Sequence, residues 1–271
     1  MMKKLALISF MIVGVIFISC EKEMSDVKNE IGISKDVIQK IESLDLNTSD
    51  LVKTTLERPD GTVEEAYLVE GCIAISPEQL SSMSLFDGIQ GEQYRTYNLV
   101  SSPRTISVIG YTGGSNALTT KMRTALQWAV ANYNALNIGL SYTLTFGTSY
   151  STKDIVVYKT TGSAGGVAGF PSGGKPYKYV QIFSGTDAYD TNVIEHVITH
   201  EMGHCIGMRH TDWSTRQSCG QSGESANPDG AVHIPGTPTG YDSNSLMLAC
   251  FGSGEDGEFG YYDIVALEYL Y

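Results

Sequence analysis

The chain has 271 residues, 42% of them hydrophobic, enough to bury one sizeable core with appendages and far from the composition of a disordered protein. Its formal net charge of -12 leaves no basic stripe to release counterions from a phosphate backbone, which excludes nucleic acid as a partner. Solubility is the plain reading of the acidic balance, and a preference for cationic ligands is the lesser one.

Lys3 and Lys4 precede an apolar run over residues 5–19, shorter than the roughly 20 residues that span a bilayer and laid out as a secretory signal. Cys20 follows Phe17-Ile18-Ser19, which resembles a bacterial lipobox, although Phe17 stands where Leu is more usual. The alternative is an ordinary cleaved signal with an incidental cysteine. The reading adopted is a signal over residues 1–20 with lipid on Cys20, implying export and attachment to a bacterial membrane at the cell surface or in the periplasm. Residues 21–50 are polar and charged and read as a tether with one weak helix through Val37, Ile38 and Ile41. Residues 51–100 read as a separate small region, in which Arg58-Pro59-Asp60-Gly61 turns the chain between extended segments. The second of these carries Val69-Glu70-Gly71-Cys72.

A principal domain is expected over residues 104–271. Residues 105–111 read as a strand, followed by a helix capped by Ser115 or Asn116. Leu118, Met122, Ala125, Ala129 and Tyr133 form its apolar stripe, which is core rather than a cofactor site. Tyr142, Leu144 and Phe146 alternate as in a strand, and residues 154–158 form a more buried one. Residues 161–175 are glycine-dense without a helix-opening Lys-Ser or Lys-Thr, so they are a loop and not a phosphate cradle. Residues 177–183 read as an exposed edge strand, and Asn192 with Glu195 as a capping box for the next helix.

That helix carries H-E-M-G-H-C-I-G-M-R-H over residues 200–210. His200 and His204 stand one turn apart on one face, positioned to share a metal ion. Gly207 takes the left-handed conformation that ends a helix, letting His210 return as third ligand. Imidazole suits zinc, and a catalytic zinc site keeps three protein ligands and one open position. Glu201 lies beside that position, where a carboxylate can take a proton from water and pass it to a leaving amine. His196, also four residues from His200, lacks the intervening Glu and reads as a supporting or surface histidine. Beyond His210, residues 211–244 are irregular. Cys219 and Cys250 flank this loop and a disulfide between them would tie it down, but with Cys72 and Cys205 three complete connectivities are open. Asp263 caps a final short helix.

The pattern H-E-x-x-H-x-x-G-x-x-H resembles the metzincin metallopeptidases, and Ser245-Leu246-Met247 matches their methionine turn. Residues 198–213, with Gly236-Thr237-Pro238, are most similar to the bacterial dual-action HEIGH metallopeptidases. The resemblance covers roughly residues 105–271. It implies an α+β fold with a twisted mixed sheet, an edge strand over the cleft, two main helices, and zinc between an upper and an irregular lower subdomain. It also implies that Met247 floors the zinc and that substrate adds to the edge strand. Some metzincins carry a zinc-binding tyrosine two residues after the turn methionine; here Ala249 stands there, so no such ligand is expected. Val69-Glu70-Gly71-Cys72 is similar to the Phe-x-Gly-Asp element of astacin-type pro-segments, whose Asp blocks the zinc. Three roles stay open for Cys72: a thiolate latch on the zinc, a small buried strand residue, or half of a disulfide.

The resulting expectation is a zinc endopeptidase acting on protein or peptide, made as a monomeric, lipid-anchored proenzyme with one catalytic Zn2+. Cleavage at Arg95 or Arg104 would unblock the zinc and release the enzyme from the membrane. The rival expectation is a catalytically inactive surface protein that keeps zinc for structure.

Overall fold

A computed structural model describes residues 32–44, 46–83, 94–221, 232–238 and 241–271. Cys20 and the signal lie outside the described residues. Two packed units are present.

The first unit begins with helix α1 (Lys35–Glu42), whose start is fixed by Ser34 Oγ accepting from Val37 N–H. Strands β1 (Val52–Glu57), β2 (Val63–Val69) and β3 (Ile73–Ile75) follow as an antiparallel meander, and helix α2 (Pro77–Ser82) closes the unit. Ile33, Ile41, Leu44, Leu46 and Leu51 share one core with Val69, Ile73, Ile75 and Leu80. Residues 33–50 therefore fold with the small region rather than acting as a tether. Their sparse apolar residues suffice because they join a core completed by residues distant in sequence, and such pairing leaves no local pattern.

The second unit begins with β4 (Tyr94–Arg95) and holds a five-stranded mixed sheet. Its strands are β5 (Arg104–Tyr111), β6 (Leu140–Gly147), β7 (Ile155–Thr160), β8 (Gly166–Val167) and β9 (Tyr179–Phe183), in the spatial order β6-β5-β7-β9-β8. All pairings are parallel except β8 with β9. Helices α3 (Thr120–Ala135) and α4 (Thr191–Ile206) share the main core with this sheet. The expected α3 stripe of Leu118, Met122, Ala125, Ala129 and Tyr133 is fully interior. The fold is α+β, and α5 (Tyr261–Leu270) completes it.

Several local expectations are corrected. The cap of α3 is Thr119, whose hydroxyl accepts from Met122 N–H, because residues 114–116 form a separate 3-10 turn. Asp190 precedes α4, while Glu195 turns inward to accept from Asn132 Nδ2 at 2.9 Å, so there is no capping box with Asn192. The strand over residues 177–183 is not an edge. The glycine-dense segment supplies β8 outside it, and a two-residue strand among glycines has no periodicity to reveal it.

Residues 94–103 belong to the second unit, not to the small one ending at residue 100. Thr96 N–H donates to Gly207 O and Arg209 N–H to Tyr94 O, both at 2.8 Å, and Val100 lies in the main core. Arg95 is paired with Val232 in strand β10 (Val232–His233) and bridged to Met208. Arg104 opens β5 and pairs with Asp154. Neither arginine offers the extended, unpaired backbone that a protease requires.

Candidate metal centre and active site

The zinc-type motif lies on the last two turns of α4. Gly207 ends the helix at φ 113°. A Cβ there would meet Leu99 Cδ2 at 2.8 Å and Asn98 O at 3.0 Å, so both its conformation and its surroundings demand glycine. The chain then turns, and His210 comes back beside His200 and His204. The Nε2 atoms of His204 and His210 are 3.2 Å apart, and those of His210 and His200 are 3.3 Å apart.

The outer ring nitrogens explain why these inner nitrogens can crowd together. His200 Nδ1–H donates to Leu246 O at 2.9 Å, and His204 Nδ1–H donates to Met208 O at 2.8 Å. A carbonyl only accepts, so Nδ1 carries the proton and each Nε2 turns a lone pair inward. Burial, followed by the neighbouring imidazoles, holds His200 and His204 well below the ordinary histidine range, which keeps them neutral.

The fourth group is Cys72. Its Sγ lies 3.7, 3.4 and 3.2 Å from Nε2 of His200, His204 and His210 respectively. A tetrahedral zinc with bonds of about 2.0–2.1 Å to nitrogen and 2.3 Å to sulfur needs N···N edges of about 3.3 Å and N···S edges of about 3.5 Å. The observed spacings match, and the four ligand atoms all lie within 4.8 Å of one another. The donor set suits zinc on chemistry as well as distance.

Cys72 reaches this point because Glu70-Gly71-Cys72 is the tip of the β2–β3 hairpin, closed by the pairing of Val69 with Ile73. Glu70 and Gly71 both have positive φ, 52° and 78°. A left-handed non-glycine residue costs roughly 1–2 kcal/mol, and at Glu70 this cost is offset by what its side chain does. The Glu70 carboxylate is buried and accepts from His210 Nδ1–H at 2.8 Å, from Arg209 Nη2 at 3.2 Å and from Asn47 N–H at 3.0 Å. Burial opposes its charge, yet these partners hold it below the usual glutamate range. Sequence reasoning passed over Glu70; the only signal was its place before Gly-Cys at a hairpin tip.

Beyond the tip the hairpin adds to the sheet. Ala74 N–H donates to Ala168 O at 2.7 Å and Ala168 N–H to Cys72 O at 3.0 Å, with Ile73 bridging Ala168 in parallel sense. Residues 72–74 thus cover the sheet edge next to β8. Phe170 fixes the arrangement by packing in the small unit's core while its ring edge meets His204.

Glu201 is buried, and its Oε2 has no hydrogen-bond partner among the described residues. Burial pushes its carboxyl well above the glutamate range, against a backbone bond from Ala168. Gly166 makes room for it: a Cβ there would lie 2.8 Å from Glu201 Cγ. Both residues line a cavity of about 260 Å³ with Cys72 and His200. An orphaned, buried carboxylate facing a cavity beside a metal-ready cluster is suited to proton transfer.

Met247 lies beneath the helix, where a Cβ on Gly203 would meet its Sδ at 2.7 Å. Asp263, expected only as a helix cap, clamps this turn: it accepts from Gly260 N–H, Leu246 N–H and Ser245 Oγ–H at 2.8–2.9 Å. Cys219 and Cys250 form a disulfide, leaving Cys72 and Cys205 free. Asp212 reinforces it by accepting from Ser218 and from Ala249 N–H. His196 is buried beside Glu255 and Phe251, not at the surface and not in the cluster.

A mixed sheet over two helices, with two imidazoles and a buried carboxylate on one of them and a third imidazole returning just past its end, defines a zinc-dependent metallopeptidase. The chain belongs to the dual-action HEIGH metallopeptidase family, whose sequence profile matches residues 67–271. Two structures of myroilysin are similar to parts of this chain. One has 15% identity and a TM-score of 0.38 over 71% of this chain and 95% of the other; the second has 13% identity and a TM-score of 0.36 over 60% and 78%. Comparison with curated proteins finds no match.

Proposed function

We propose that the chain is a latent, lipid-anchored zinc endopeptidase, exported on its signal, held to a bacterial membrane through Cys20 and silenced by Cys72. The observation that carries the latency is the Cys72 sulfur at the ligand-to-ligand spacing of a tetrahedral zinc site from all three imidazoles. His200, His204 and His210 would hold the ion, Met247 packs beneath their helix against Gly203, and Cys72 would occupy the position that catalysis requires open.

When bound, zinc supplies Lewis-acid activation of water and of the scissile carbonyl. Glu201 takes the proton from the attacking water and delivers it to the leaving amine nitrogen as the peptide bond breaks. The freed edge at residues 166–168 then pairs with an extended substrate, as residues 72–74 do in the latched chain. Because residues 94–103 pack with the catalytic unit, a cut between Cys72 and Tyr94 would leave that unit whole. It would also separate it from the lipid.

The test compares the zinc-loaded full chain, its Cys72→Ala form and Cys72→Ala/Glu201→Gln on an unfolded protein substrate. Cleavage should rise with Cys72→Ala and vanish with Glu201→Gln while zinc content is retained. Equal cleavage by the wild type and Cys72→Ala would refute the latch. No cleavage by any form, with zinc bound, would favour a zinc-holding binding protein.

A further inference from the structure

The loop after α4 holds Arg216 with its backbone in the left-handed region, φ 46°. Its N–H donates to Asp212 O at 2.6 Å, and the Cys219–Cys250 disulfide ties the loop to the methionine turn. The guanidinium is 7% exposed and lines the same cavity as Cys72, His200 and Glu201. It is not left to solvent: Nη1 lies 3.0 Å from Oδ2 of Asp50, a residue of the small unit. Asp50 also accepts from Glu70 N–H at 3.1 Å, so this carboxylate is delivered with the hairpin that blocks the metal.

We propose that Arg216 is a specificity-determining residue, which in the opened enzyme binds an acidic side chain on a substrate residue flanking the scissile bond. In the latched chain Asp50 is the internal stand-in for that side chain. The inference rests on the latch reading above, since Arg216 meets substrate only after the hairpin leaves. Gly71 sets the position. It is the covalent neighbour of Cys72, whose sulfur stands among the imidazoles, and a Cβ on Gly71 would lie 3.8 Å from both Arg216 Nη2 and Asp50 Oδ2. A substrate residue one step from the group at the metal therefore lies within side-chain reach of the guanidinium. A planar guanidinium in a walled cavity pairs with a carboxylate in preference to an amide of the same shape. This local preference runs against the acidic balance of the whole chain, which by itself favours cationic ligands.

The experiment uses the zinc-loaded full chain carrying Cys72→Ala and peptides differing only by Asp or Asn at one residue on either side of the scissile bond. The tethered small unit competes equally with both members of a pair, so the ratio of kcat/KM reads the subsite. At one flanking position Asp should exceed Asn by ten-fold or more. Arg216→Gln should bring that ratio near one, and Arg216→Lys, which keeps the charge, should restore part of it. A ratio near one in the Arg216 parent, or one unchanged by Arg216→Gln, overturns the proposal. If no peptide is cut although zinc is bound, the peptidase reading fails separately. Binding of the same pairs to the Cys72→Ala/Glu201→Gln chain then decides, and equal binding overturns the assignment.

Discussion

Replacing Glu70 by glutamine preserves the length of the hairpin tip and removes its charge. In the native chain one carboxylate satisfies His210 Nδ1–H, Arg209 and Asn47 N–H. Glutamine has a single acceptor oxygen, and its amide nitrogen would face one of these donors with another donor. A hydrogen bond to a charged group contributes about 1.5–3 kcal/mol, and breaking a buried ion pair costs about 3–5 kcal/mol. About 3 kcal/mol of the docking of the small unit should therefore be lost. His210 also loses the group that orients its ring. Removing such an outer partner of a metal ligand lowers metal affinity by about 10–100-fold, equivalent to about 1.4–2.7 kcal/mol. Competition between the full chain and a chromophoric zinc chelator measures this directly, and a thermal melt in excess zinc separates affinity from folding. A folded Glu70→Gln chain that holds zinc within two-fold of wild type would refute the reasoning.

Asp263 is buried and raised from 3.8 to about 6, chiefly by burial and against the three hydrogen bonds it accepts. Its folded pKa lies above its unfolded one, so the folded state binds the proton more tightly between those values. Stability from this group is fully present below about pH 4 and lost as pH rises through about 6, by about 3 kcal/mol. Urea titrations of the wild type and Asp263→Asn across pH 4–7 should differ by about that amount, with the wild type losing ground as pH rises; parallel curves would contradict it. Gly203→Ala drives a methyl into Met247 Sδ, and overpacking of this kind costs about 1–3 kcal/mol. The expected reading is a Tm lowered by several degrees, and an unchanged Tm would mean that the methionine turn yields freely.

The zinc residues were legible because helical spacing puts His200 and His204 on one face and Gly207 permits one return path for His210. The α3 stripe was legible for a similar reason, as burial at period 3.6 is written into neighbouring residues. Glu70 was not legible. It reaches His210 across 140 residues of sequence, and nothing near it says which hairpin tip enters the cleft. The true sheet edge was hidden likewise, since residues 166–168 become an edge only once β9 pairs with β7 on its other side.

The sequence by itself therefore marked out the three imidazoles of the metal cluster, the carboxylate of Glu201 beside them and the glycine that turns the chain. All of these sit within eleven consecutive residues, where backbone geometry alone relates one side chain to the next. Tertiary structure alone decided that residues 33–44 and 46–50 pack with the small unit, that residues 94–103 pack with the catalytic unit, and that Glu70, Cys72 and Asp50 arrive at the cleft together. Those facts depend on two cores meeting through Phe170 and on a strained hairpin tip stabilised by its contacts. Such long-range complementarity has no local period from which it could be read.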